Sequence, residues 1–200
     1  MIRKKITHKK IPKKDYDDLY NVILEFLCRK NSPNGNFRFL HQDWKYIYEV
    51  AHKAEIYSYL DPQITCIFAR NTLELIIDLF YENEDILLPE NPSYTLKQKI
   101  LFLPFQHAIG DQLFKKALSI NSLGNKAAHG NNIFNKASSM ISLKYLFDLS
   151  CWLSNKYSKY SQYHTTHKFD EKLIPYVFQI DKFSIKKIVS LALQKKIGET

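Results

Sequence analysis

The sequence predicts an all-α helical bundle of about five to seven helices, and three observations predict it. Apolar residues recur at three- and four-residue spacing through several long stretches. Between them fall proline- and asparagine-bearing breaks, SPNG at 32–35 and ENEDILLPENPS at 82–93. The 200 residues hold only five glycines and are 45% hydrophobic, which suits one medium-sized domain able to bury its own core.

The first helix is expected to start at Asp15, as its cap, and to run to about Arg29. Leu19, Val22, Ile23, Phe26 and Leu27 form its stripe, and SPNG stops it. A second begins near Asp43, with Trp44, Ile47, Tyr48, Ala51 and Ala54 on one face. Asp61 followed by Pro62 is a cap and first-turn pair that opens a long helix to about Tyr81. Ile64, Ile67, Phe68, Leu75, Ile76, Leu79 and Phe80 surround that helix with apolar surface, so it belongs at the centre of the bundle. Residues 82–93 read as an acidic surface loop. A short helix from about Thr95 to Leu103 is expected to end at Pro104, and Asp111 to cap another toward Leu123. Ser138 to Tyr160 supplies a further long helix facing inward through Ile141, Leu143, Leu146, Phe147, Leu149, Trp152 and Leu153. The polar, aromatic run at 157–169 reads as a fraying exit, and residues 184–197 as an amphipathic segment for a partner or a further part of a longer chain.

Charge divides the chain more sharply than its net value of +9 implies. Arg3, Lys4, Lys5, Lys9, Lys10, Lys13 and Lys14 make residues 1–14 a basic arm without an acid. Residues 15–154 carry 13 basic against 16 acidic side chains, and residues 155–200 carry 9 against 4. Such an arm suits phosphate contacts on DNA or RNA, where counterion release makes affinity fall with salt. It equally suits a solvated tail. The domain reading is therefore a basic arm at 1–14, a helical bundle at 15–160, and a linker with an amphipathic helix at 161–200.

Several functions are excluded by what is missing. The three cysteines are scattered through apolar runs, which reads as buried thiols in a reducing, cytoplasmic setting. No apolar run is long enough for a membrane span, and the charged start without an apolar core leads us to expect no secretory leader. His164 and His167 share HxxH spacing but lack nearby thiolates, so no metal and no cofactor are expected. No glycine-rich phosphate loop or serine hydrolase elbow occurs. Tyr157, Tyr160 and Tyr163 interleave with Lys156, Lys159 and Lys168, a pattern that fits base stacking or a loosely ordered linker.

The segment SLGNKAAHG at 122–130 is the candidate polar site. On a helix, Asn125 and His129 share one face, with two alanines between them and a glycine at each side. That arrangement serves chemistry or simple pairing of helix ends. Arg70 and Glu74, four apart on the long central helix, are a second pair, either a brace or assistance to His129.

Taken in order, NFRFL at 36–40, WKYIYEVAHKAEIYSYLDP at 44–62, FARNTLELIIDLFY at 68–81, FKKALSINSLGNKAAHG at 114–130 and LKYLFDLSCWLSNKY at 143–157 resemble one family. It is the N-terminal domain of the type I restriction enzyme R subunit and related helicases, a HEPN-like helical domain without a settled function. The resemblance spans about residues 36–175 and includes FDEKLIP at 169–175, similar to the segment through which that domain leaves for the rest of the subunit. It implies a docking or nucleic-acid-binding module of a defence system, with a protein partner or the remainder of a restriction subunit beside it. The alternative is a HEPN-like metal-independent ribonuclease using His129, for which a homodimer would bring two such segments together. HEPN ribonucleases carry an arginine ahead of the histidine with four to six residues between the two. Here those positions are Ser122, Leu123 and Gly124, and the relatives' commoner arginine position holds Asn121. Without that cation, a lone histidine supplies only general acid or base assistance.

Overall fold

Asp61 and Pro62 open the central helix as their sequence demands. The Asp61 carboxylate accepts the Gln63 and Ile64 backbone N–H groups at 3.0 and 3.1 Å, and the proline occupies the first turn, where its missing donor costs nothing. The computed structural model describes residues 34–86, 94–129, 134–159 and 168–175. All of them belong to the unit Pro33–Tyr176. The expected helix at 15–29, the basic arm, the HxxH pair and the amphipathic segment at 184–197 lie outside the described residues.

Among the described residues the fold is all-α, with five α-helices and two short 3-10 turns. They are α1 (Lys45–Tyr57), α2 (Pro62–Asn83), α3 (Leu96–Leu101), α4 (Leu103–His129) and α5 (Lys136–Tyr157), with 3-10 turns at Arg38–Leu40 and Glu171–Leu173. The long α2 runs between α1, α4 and α5, which accounts for its all-round apolar surface. Phe80, Phe105 and Trp152 join α2, α4 and α5, the Phe80 ring lying 5.2 Å from Phe105 in an edge-on contact. Phe37 and Phe39 pack edge-on against Phe147 and seat the chain ahead of α1 on α5. No helix of the described residues is long and apolar enough to cross a membrane.

Two expectations are corrected. Pro104 does not end a helix but stands in the first turn of α4, since α3 has already stopped at Leu101. From there α4 runs to His129, broken only at Gly110, whose φ of 71° interrupts the helical backbone. Ile141, expected to face inward, is 42% exposed. The inner face of α5 instead uses the small residues Ser139, Ser142, Ser150 and Ser154 beside its leucines, which lets α5 approach its neighbours closely. Ser139 Oγ there donates to the Ser58 carbonyl at 3.0 Å, beyond the end of α1.

Cys66 is buried and Cys151 half-buried, and neither is in a disulfide. Burial pushes both thiols up, Cys151 to about 12, and does the same to the Tyr81 phenol, to about 12. Each group folds as its neutral form and would ionise earlier in the unfolded chain. Their contribution to stability is therefore complete below about pH 9 and declines as pH rises toward 12. Thermal unfolding followed between pH 8 and 11 is expected to show a falling midpoint. Peptide mapping after iodoacetamide at pH 8 should find Cys66 and Cys151 protected in the native chain and alkylated in urea.

Candidate functional site

The candidate site forms where α2 crosses the last turns of α4. Gln63, Arg70 and Glu74 lie along one side of α2, spaced by seven and four residues, so they fall on a common stripe. On α4, Asn121, Asn125 and His129 repeat at four-residue spacing. The two stripes meet. Arg70 Nε donates to Asn125 Oδ1 at 2.8 Å, and Gln63 Nε2 donates to the Ala127 carbonyl at 2.7 Å. The second bond satisfies a carbonyl of the last helical turn.

Gly124 makes the crossing possible. A Cβ at that position would lie 2.4 Å from Arg70 Cβ and 2.8 Å from its Cδ. The arginine stem thus runs directly over the α4 backbone, and only a residue without a side chain leaves room for it. Asn121 is buried at 4% exposure beneath this contact, and Asn125 Nδ2 donates to its Oδ1 at 3.5 Å.

Electrostatically the cluster is close to balanced. Arg70 Nη1 lies 3.4 Å from Glu74 Oε2, with the two side chains 26% and 36% exposed. The guanidinium is consequently shared between a neutral amide and a carboxylate on its own helix. An exposed pair of this spacing contributes about 0.3–0.5 kcal/mol, and the bond to Asn125 about 1 kcal/mol. His129 closes α4 and is exposed. No described residue forms a hydrogen bond with its imidazole.

The structure therefore brings together Arg70, Glu74 and Asn125 and sets His129 one turn further along α4. All four stand out in the sequence, but nothing there pairs Arg70 with Asn125, which are 55 residues apart. Gln63 is a further member that the sequence signals only by its seven-residue spacing from Arg70. Asn121 reads in the sequence as a vacant arginine position, whereas in the fold it is a buried partner of Asn125. Lys126 is exposed on another face of α4, as its place in the helical repeat requires. The seven basic residues of the arm, Arg3 to Lys14, lie outside the described residues.

No family model, no curated protein and no solved structure matches this chain.

Proposed function

We propose that this chain is a non-catalytic helical docking module of a type I restriction-like defence system, held to nucleic acid through its basic N-terminal arm and to a protein partner through its bundle. The observation that carries the non-catalytic reading is the engagement of Arg70. Phosphoryl transfer requires a cation free to meet charge that develops on the transferred group. Arg70 is bonded to Asn125 and faces Glu74, so it works as a brace between α2 and α4. The exposed His129 has no orienting partner among the described residues, whereas a general base is normally held in its tautomer by one.

The resemblance of the quoted motifs to the R-subunit domain supports the defence assignment. In this fold those motifs contribute structural pairings: Asp61 caps α2, Arg70 grips Asn125, and Gly124 admits the arginine stem. A HEPN-like ribonuclease with His129 as its acid or base, active as a homodimer, is the second reading. It draws on the same geometry, because Asn125 places the guanidinium one helical turn from His129.

The docking reading is tested by measuring binding of the chain to single-stranded RNA and to duplex DNA between 50 and 200 mM salt, about the range over which counterion release is resolved. If the arm's seven basic residues contact phosphate, deleting residues 1–14 should reduce the magnitude of the log–log salt slope by up to about 5 on single strands. An unchanged slope would remove the arm from the interface.

A further inference from the structure

Apart from the crossing of α2 and α4, the most heavily bonded buried polar group in the described fold is Glu55 with Asn36. Glu55 is fully buried near the end of α1, and Asn36 is 5% exposed in the loop ahead of Arg38. Asn36 donates twice to Glu55 Oε1, from its backbone N–H at 2.9 Å and from Nδ2 at 2.6 Å. The same side-chain amide reaches a segment 134 residues further on: Nδ2 donates to the Asp170 carbonyl at 2.9 Å, and Oδ1 accepts the Asp170 backbone N–H at 2.8 Å. Asn36 thus pairs with both the N–H and the C=O of Asp170, as a residue of a neighbouring backbone strand would.

We propose that Glu55, acting through Asn36, is a latch that holds the returning segment 168–175 against the bundle. Glu55 Oε1 already accepts the Asn36 backbone N–H, so it presents an acceptor that admits the Nδ2 side of the Asn36 amide and rejects the Oδ1 side. That choice decides which way the amide faces. Only with Nδ2 toward Glu55 do both Asn36 bonds to Asp170 form. Glu55 is therefore a positioning residue for a contact in which it takes no part.

Gly35 is shaped to this arrangement. Its φ is +79°, and a Cβ there would fall 2.1 Å from Glu55 Oε2, so the loop lies directly on the carboxylate. Among the described residues Glu55 Oε2 has no hydrogen-bond partner, and it stands 3.7 Å from His52 Nδ1, which also has none. The His52 ring stacks on Tyr48, whose hydroxyl accepts the Asn34 backbone N–H at 3.2 Å. Loop 34–36 is accordingly fixed to α1 at both ends. The held segment adds contacts of its own: Phe169 packs edge-on to Phe147, Ile174 is buried, and Glu171 meets Lys144 at 2.8 Å. The consequence is that the chain enters and leaves the bundle side by side, at one clasp whose release frees the returning segment while leaving the α2 core intact.

Amide hydrogen exchange on the full chain, read residue by residue by NMR, tests this. In Asn36→Ala and in Glu55→Ala the Asp170 amide should lose at least about tenfold more protection than the Ile76 and Ile77 amides of α2. Glu55→Gln, which keeps an acceptor for Asn36, should stay within about twofold of the native chain. If Glu55→Ala does not fold, Glu55→Asp takes its place, drawing the carboxylate back by one methylene. Equal losses at Asp170 and in α2 would reduce Glu55 to a general stabiliser and overturn the latch. An Asp170 amide unmoved by Glu55→Ala, or by Glu55→Asp where that takes its place, would overturn it as well.

Discussion

Gly124→Val is expected to cost about 3 kcal/mol of stability, measured by urea unfolding. The new Cβ would meet Arg70 Cβ at 2.4 Å and Cγ at 3.0 Å. Arg70 Cβ is bonded to the α2 backbone, so no change of rotamer relieves the contact. The helices have to separate, taking with them the bonds from Arg70 to Asn125 and from Gln63 to Ala127. A glycine inside a helix normally gains up to about 1 kcal/mol on replacement, so a loss here has the opposite sign to the local preference. Companion variants separate steric from charge effects. Arg70→Ala retains the offending Cβ and should leave the Gly124→Val penalty in place, whereas Arg70→Gly should recover part of it. A loss smaller than about 0.5 kcal/mol in Gly124→Val would show that the crossing is looser than described.

Phe105→Ala is expected to cost about 3–5 kcal/mol. Phe105 is fully buried and edge-on to Phe80 at 5.2 Å and to Trp152 at 6.0 Å, the point where α2, α4 and α5 share one core. Removing its ring leaves a cavity lined by residues of three helices, none of which can collapse alone. The midpoint in urea should fall with little change in slope, because the rest of the core still unfolds as one unit. A loss near 1 kcal/mol would mean that the α3–α4 corner closes over the cavity.

The central architecture was legible because it is written in local signals. Asp61 with Pro62 is a cap and a first turn together, and the apolar surround of α2 leaves it no place but the middle. Pro104 was misjudged for a physical reason. A proline marks the end of one helix or the first turn of the next with the same residue, and spacing alone does not separate the two. Ile141 was misjudged because α5 buries serines, whose value at a close helix contact is their size rather than their hydrophobicity.

The candidate site was legible in its members and illegible in its pairings. The four-residue repeat of Asn121, Asn125 and His129 depends only on helical geometry. The bond from Arg70 to Asn125 depends on how α2 crosses α4, which no local pattern encodes. The buried Glu55 was hidden for a related reason: a glutamate on a helix reads as surface until its partner, in a loop 19 residues earlier, is found beneath it.

This bundle is proposed to dock and not to cut. The most direct measurement is incubation of the purified chain with labelled single-stranded RNA in the absence of metal, beside His129→Ala, Arg70→Ala and the chain lacking residues 1–14. Intact RNA is expected with every protein, together with binding that weakens when the arm is removed and an Arg70→Ala effect confined to stability, of about 1 kcal/mol. Cleavage by the native chain that vanishes in His129→Ala, with the fold preserved, would contradict that expectation and establish a ribonuclease.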